Sequence, residues 1–328
     1  KSKIYITGSS GFIGFHTAKK FLDKGIKVHG FDSMNDYYDV NLKKTRLNIL
    51  KKYKNFSFTK GLLENEKILN KSVLKFKPNI IIHLAAQAGV RYSIENPNVY
   101  LNSNVLGTFN VIKIAKKFKI KHLIIGSSSS VYGANKKIPF QETDKTDHQV
   151  SFYAATKKST ECLAHSYSSL WKIPITMLRF FTVYGPFGRP DMSILRFIHW
   201  IASGQDVIIY GDGNQRRSFT YISDIVDGIQ KLLKYKKEGT FNFGSNQTWS
   251  LNEVIELIEK HIEKKGKIIN KERAYKDVDV VLPSLELSKE ILNWQPTTNI
   301  EDGIKKTVEW YKEYESSIEK LNFKYEYE

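Results

Sequence analysis

A phenol and an ammonium four residues apart, Tyr153 and Lys157, are the pair in this sequence best suited to move a proton. On a helix that spacing sets them one turn apart on the same face. A tyrosine of ordinary pKa, near 10, serves as a base near neutrality only where positive charge favours its phenolate, and Lys157 is such a charge. Tyr-x-x-x-Lys arises often by chance. Its weight here comes from Ser127-Ser128-Ser129-Ser130-Val131-Tyr132-Gly133, which follows an apolar strand from Leu123 to Gly126 and so brings hydroxyls to the sheet edge where ligands bind. A second pattern, Gly8-Ser9-Ser10-Gly11-Phe12-Ile13-Gly14, lies between a first strand and a first helix. Glycines there let the backbone turn sharply and approach a pyrophosphate, and a helix N-terminus offers unpaired N–H groups to it. Asp32, 18 residues past Gly14, ends the next strand and is placed to accept hydrogen bonds from an adenosine ribose, which favours NAD over NADP.

These residues need a sheet to hold them. Residues 3–7 read as a buried strand, Phe15 to Lys24 as a helix and Lys27 to Phe31 as a second strand, a βαβ unit. A helix-like segment from Leu42 to Tyr53 leads to Phe56-Ser57-Phe58. The run Ile80 to Leu84 is continuously apolar, as in a parallel strand buried on both faces. Val99 to Phe118 reads as one long helix, and a helix from Tyr153 to Leu170 separates strands at Leu123 to Ile125 and Ile175 to Arg179. Such alternation implies an α/β fold, a Rossmann-type doubly wound parallel sheet. Beyond Gly185 the pattern loosens, with a polar turn at Gly211-Asp212-Gly213-Asn214 and helices at Asn252 to Lys264 and Ile300 to Tyr314. The expected division is a dinucleotide-binding domain over 1–185, to which 219–247 returns, and a smaller α/β substrate domain over 186–328.

Composition narrows the class. Of 328 residues, 41% are apolar and 26% charged, which excludes disordered, collagenous and disulfide-scaffold chains. The single cysteine, Cys162, makes no internal disulfide and lies in no zinc spacing, so it reads as a small helix residue with no metal expected. A net charge of +17 raises nucleic acid as a partner, but 43 of the 51 basic residues are lysines spread along the chain without interleaved aromatics, which reads as a solvated surface. No run approaches the roughly 18 apolar residues of a membrane helix, and the chain opens into its first strand, so a cytoplasmic enzyme without membrane contact is expected.

Taken together, the glycine loop, Asp32, His83-Leu84-Ala85-Ala86-Gln87-Ala88-Gly89-Val90-Arg91, the serine run, the Tyr153–Lys157 pair and Arg179 to Pro186 resemble the nucleotide-sugar epimerases of the extended short-chain dehydrogenase/reductase family. Within that family, Asn35-Asp36-Tyr37-Tyr38-Asp39, Ala88 to Ser93 and Gly185 to Met192 are similar to strings of enzymes that invert carbon 4 of UDP-glucuronate. The resemblance implies that Tyr153 takes the proton of the sugar 4-hydroxyl, that Lys157 binds the nicotinamide ribose and holds the phenolate, and that Ser128 bridges to the same hydroxyl. It implies NAD bound tightly and regenerated in each cycle, contacted by Gly8, Gly11, Phe12, Ile13, Gly14, Asp32, Leu84, Ala85, Ala86, Tyr153, Lys157 and Phe180. It further implies a 4-keto sugar that turns over and is reduced on its other face. Relatives pair through the helices corresponding to Val99 to Phe118 and Tyr153 to Leu170, so a homodimer is expected.

The substrate rests on fewer residues. Thr182 stands where hexose epimerases of the family commonly carry Asn, and its hydroxyl with those of Ser129 and Ser130 suits a sugar carboxylate. Arg91 and Arg189 are further substrate candidates, Arg189 as a charge-assisted partner of that carboxylate or the diphosphate, and Arg217 matches the family arginine that grips the diphosphate. The alternatives are a 4-epimerase of UDP-glucose or UDP-N-acetylglucosamine, a decarboxylase sharing the 4-keto intermediate, and a noncatalytic NAD-binding protein. A 4,6-dehydratase would need acids where Ser129 and Ser130 stand. The chain also departs from the family at Leu62, where an acid contacts adenine, at Ser218, and at Lys276 and Ser284.

Overall fold

The computed structural model describes residues 2–273 and 278–323; Lys276 and the chain end from 324 lie outside them. The first half alternates strand and helix: β1 (Lys3–Thr7), α1 (Phe12–Asp23), β2 (Lys27–Asp32), α2 (Val40–Lys51), β3 (Phe56–Lys60), α3 (Glu66–Phe76) and β4 (Ile80–His83). Two short turns of helix, α4 (Tyr92–Glu95) and α5 (Pro97–Tyr100), lead through a π-helical turn (Leu101–Leu106) into α6 (Gly107–Lys117). Then follow β5 (His122–Ser128), α7 (Phe152–Trp171) and β6 (Ile175–Phe180). The remainder comprises β7 (Val183–Tyr184), α8 (Ser193–Ser203), β8 (Asp206–Tyr210), β9 (Arg216–Arg217), β10 (Thr220–Tyr221), α9 (Ile222–Tyr235), β11 (Gly239–Phe243), β12 (Trp249–Ser250), α10 (Leu251–Ile262), β13 (Lys267–Lys271), β14 (Val280–Val281), α11 (Glu286–Leu292) and α12 (Ile300–Ile318).

Seven strands form one sheet in the order β3-β2-β1-β4-β5-β6-β11, and every pairing is parallel. The order reverses between β1 and β4, which opens a crevice at the carboxyl ends of the strands. β1 and β4 are apolar because both faces are covered: Ile4, Ile6, Ile80 and Ile82 join α1 on one side, and Tyr5, Ile81 and Leu123 join Val111 and Ile114 of α6 on the other. β11 is the sheet's seventh strand, although it follows β7 to β10 in the chain.

Among the helices beyond those expected are α3, α8 and α9. α8 buries Ile194, Leu195, Phe197, Ile198, Trp200 and Ile201 and leaves Ser193, Arg196 and Ser203 on its more exposed side. α3 buries only Leu69, Ser72 and Val73, whereas α9 turns a regular apolar face inward through Ile222, Ile225, Val226, Ile229 and Leu232. The single helix expected from Val99 to Phe118 is instead interrupted by the π-helical turn. There Asn104, 1% exposed, accepts from the backbone N–H of Gln87 (2.7 Å) and donates to the Gln87 carbonyl (3.0 Å) and Thr156 Oγ1 (3.1 Å). Widening one turn aims this amide inward and ties the loop after β4 to α7.

Candidate active site

The first turn of the site is a steric consequence of glycine. Gly8 adopts φ +73°, and a Cβ on it would stand 2.7 Å from the Ala85 nitrogen; a Cβ on Gly14 would stand 2.0 Å from the Gly8 carbonyl oxygen. Only hydrogen at both positions lets α1 start this close to the ends of β1 and β4, with its N-terminus facing the crevice. The carboxylate of Asp32 accepts from the backbone N–H of Ser10 (3.0 Å) and of Met34 (2.8 Å), which holds it at the crevice wall.

That wall encloses about 430 Å³ and is lined by Gly8, Gly11, Phe12, Ile13, Gly14, Asp32, Leu84, Ala85, Ala86, Tyr153, Lys157 and Phe180, all twelve residues expected to touch the cofactor. A glycine cradle at a helix N-terminus with a carboxylate 18 residues beyond fits a dinucleotide's pyrophosphate and ribose. Leu62 and Glu64 line the same wall, so the departure at Leu62 places an apolar side chain there.

A second cavity of about 480 Å³ adjoins the first; Tyr37, Ala88, Ser128, Tyr153, Phe180, Phe181, Thr182, Arg189 and Met192 line both. Arg91, Ser129 and Ser130 line only the second. The phenol of Tyr153 and the hydroxyl of Ser128 therefore stand at the seam between a cofactor-shaped space and a sugar-sized one.

α7 presents this phenol because Ser151 caps it, accepting from the Ala154 N–H (3.0 Å), and because Ser93, fully buried, accepts from the Tyr153 N–H (3.1 Å). Burial raises the Tyr153 phenol above its ordinary pKa, and the Ser128 hydroxyl with the Arg189 charge pull it down. Lys157 donates to the Gly126 carbonyl (2.6 Å); burial lowers its pKa to about 8, against the attraction of Glu161. Ser128 also accepts from the Ser130 N–H and donates to its Oγ, both at 3.1 Å, so the serine run is pre-ordered.

Behind these groups the Glu161 carboxylate accepts from Ser127 Oγ (2.7 Å) and from Nε and Nη2 of a buried Arg179 (2.9 and 2.8 Å), and that guanidinium lies over the Tyr132 ring. This fully partnered pair fixes the register of β5 and β6 under the serines.

The substrate candidates divide. Thr182, Arg91, Ser129, Ser130 and Arg189 reach the sugar-side cavity, and Arg189 does so with its charge engaged by the carboxylate of Asp191 through two hydrogen bonds. Arg217 does not line that wall: it lies in β9, donating to the Arg216 carbonyl (2.9 Å), and the lining residues there are Tyr210, Gln215 and Arg273. Ser284 pairs by its N–H with the Phe140 carbonyl (2.7 Å) and lines neither cavity. Sequence reasoning missed Gln215 and Arg273, whose meeting at 2.9 Å spans two distant segments, and Tyr37 and Asp191, which stood inside strings already noted.

The family model described as GDP-mannose 4,6 dehydratase matches residues 5–307. The chain belongs to that family. It is a member of the extended short-chain dehydrogenase/reductase nucleotide-sugar enzymes, with the epimerases as its relatives. Protein CapI of Staphylococcus aureus is 44% identical over 331 residues, covering 95% of this chain and 99% of that protein. The UDP-glucuronate 4-epimerase of Thermodesulfobacterium geofontis is 45% identical over 311 residues, covering 94% and 95%. Among solved structures, UDP-glucuronic acid 4-epimerase from Bacillus cereus in complex with UDP-glucuronic acid and NAD superposes with a TM-score of 0.89 at 30% identity, covering 95% of this chain and 99% of that one. The family's dehydratase name does not extend to the residues after Ser128. Asp191 is the one carboxylate among the described residues lining the sugar-side cavity, and Arg189 holds it.

Proposed function

We propose that this chain inverts carbon 4 of UDP-glucuronate, giving UDP-galacturonate, with NAD as a cofactor that leaves each cycle unchanged. The observation that carries this reading is the seam: Ser128 and Tyr153 line both cavities while Lys157 lines only the cofactor side. Tyr153 takes the proton of the 4-hydroxyl, Ser128 hydrogen-bonds the same oxygen, and the Lys157 ammonium stabilises the phenolate through both halves of the cycle. NAD, when bound, supplies the acceptor and later the donor of the hydride at carbon 4. Thr182, Ser129, Ser130 and Arg91 give the sugar side hydroxyl and guanidinium donors suited to a carboxylate. Holding that carboxylate firmly keeps the 4-keto sugar from losing it, which separates an epimerase from a decarboxylase.

Incubating the purified protein with UDP-glucuronate and no added cofactor is expected to give UDP-galacturonate, resolved by NMR. UDP-pentose instead would make it a decarboxylase. Turnover of UDP-glucose or UDP-N-acetylglucosamine but not UDP-glucuronate would reassign the substrate.

The proposal extends to a homodimer working in the cytoplasm. Leu101 (45% exposed), Leu106 (44%), Leu170 (68%) and Trp171 (52%) leave apolar surface on the π-helical turn before α6 and on α7, where a second copy would bury it. Light scattering at micromolar concentration is expected to give twice the chain mass, and Leu106→Lys with Leu170→Lys to give monomer. A monomeric parent protein would refute the pairing. No helix among the described residues is long and apolar enough to cross a membrane.

A further inference from the structure

Arg46, on α2, has no solvent exposure and none of the described carboxylates within ion-pair distance. A buried guanidinium without a carboxylate is costly unless its N–H groups are taken up elsewhere. Here they all go to one phenol and three carbonyls. Nη1 donates to the Ser10 carbonyl (2.9 Å) and the Tyr38 hydroxyl (2.5 Å), Nε and Nη2 to the Phe187 carbonyl (3.2 and 2.6 Å), and Nη2 also to the Gly188 carbonyl (3.1 Å). Three segments far apart in sequence meet on this side chain. Ser10 belongs to the glycine loop of the cofactor cradle, Tyr38 follows Tyr37 at the seam of the cavities, and Phe187 and Gly188 precede Arg189 on the sugar side.

An independent observation shows that the third segment needs holding. Phe187 adopts φ +59°, a left-handed backbone that is unfavourable for a bulky residue and persists only where its surroundings over-determine it. Its ring packs against Phe15, Trp310 and Tyr314, with centroids 5.0 to 5.1 Å away. Its carbonyl, the atom such a turn leaves exposed to competition, is taken by Arg46. Lysine cannot replace this arrangement, because one ammonium cannot span acceptors on three loops in the planar geometry of a guanidinium.

We infer that Arg46 is a positioning residue that clamps the glycine loop, the Tyr37–Tyr38 segment and the 185–192 loop into one unit, so that seating the dinucleotide and presenting Arg189 to the sugar are coupled. Arg46 itself lines neither cavity. The clamp rests on the epimerase reading only for the identity of the sugar nucleotide.

The test is Arg46→Lys, assayed for KM and kcat with UDP-glucuronate at saturating NAD, for NAD retained through purification, and for UDP affinity by calorimetry. Loss of several buried hydrogen bonds is expected to raise KM about tenfold and weaken UDP by a similar factor, to lower retained NAD by more than about half, and to leave kcat within about threefold. A role in stability alone would lower the melting temperature and leave KM and NAD content of the folded fraction at parent values, and that result overturns the coupling. So does a loss of NAD with KM unchanged. If Arg46→Lys does not fold, Tyr38→Phe removes a single acceptor; a KM raised about two- to threefold supports the clamp, and an unchanged KM refutes it. If the parent protein leaves UDP-glucuronate unchanged, the substrate reading fails, while UDP affinity and NAD content still decide the role of Arg46.

Discussion

Replacing Tyr153 by phenylalanine is expected to lower kcat by roughly three orders of magnitude or more, the contribution of a positioned proton-transfer group, with KM and retained NAD within about threefold of the parent. The ring fills the same space, so packing at the seam is kept, and only the proton carrier is lost. That separation excludes a noncatalytic NAD-binding role if the parent turns over and the variant does not. The other phenol lining both cavities is Tyr37. Burial and the Asp191 carboxylate hold its proton well above the ordinary value, Arg189 opposes them only in part, and it has no lysine one helical turn away. A Tyr153→Phe protein retaining more than about a tenth of parent activity would place the base elsewhere, with Tyr37 the first to examine. Lys157→Met is the complementary variant, because it removes the charge that favours the phenolate.

Acid is expected to unfold this protein over a narrow range. His29, His83 and His122 are buried, at 7%, 2% and 0% exposure, and burial lowers their pKa values to about 4, about 3 and about 4. Lys75, Lys157 and Lys236 respectively add like charge. Each ring is held neutral among hydroxyls: His83 between Thr7 (2.7 Å) and Thr108 (2.8 Å), His29 between Ser57 (2.8 Å) and Thr59 (3.0 Å), and His122 against Thr176 (2.8 Å). An unfolded histidine titrates near 6.5, so below that pH the unfolded chain binds protons that the native state refuses. Stability from these groups is therefore complete above about pH 6.5 and lost as pH falls toward 4. At about 1.4 kcal/mol per pH unit for each, the three together cost on the order of 4 kcal/mol per unit, comparable with the whole stability of an ordinary domain. Urea midpoints measured between pH 7.5 and 5 are expected to fall steeply below 6.5, and a flat series would show that these histidines do not govern acid stability. His83 links this to function. Thr7 Oγ1, its partner, also accepts from the N–H groups of Leu84 and Ala85 in the cofactor wall (both 3.1 Å), so NAD is expected to be released together with unfolding and not before it, because native His83 stays neutral through this window.

Much of this site was legible without coordinates because its parts are local in sequence. Gly8 encodes a left-handed turn and Gly14 a site with no room for a Cβ, Tyr153 and Lys157 share a helix face by spacing alone, and an apolar strand before Ser127 to Ser130 dictates the sheet edge where the hydroxyls emerge. Periodicity likewise determined the parallel sheet, since a strand buried on both faces leaves continuous runs such as Ile80 to Ile82. Tertiary structure decided which polar groups remain available to a ligand. Arg189 and Arg217 were both substrate candidates as sequence, yet Asp191 engages the first inside the cavity wall, while the second, in β9, does not line it. Arg46 had no distinguishing sign at all, because its acceptors at Ser10, Phe187 and Gly188 are backbone carbonyls, which every residue carries. The inward amide of Asn104 was hidden for a similar reason: a π-helical turn is chosen by the partners it can reach at Gln87 and Thr156, not by the residues that form it. Residue type and spacing determine what chemistry a chain can host; the long-range hydrogen bonds that consume or free each polar group exist only once distant segments are brought together.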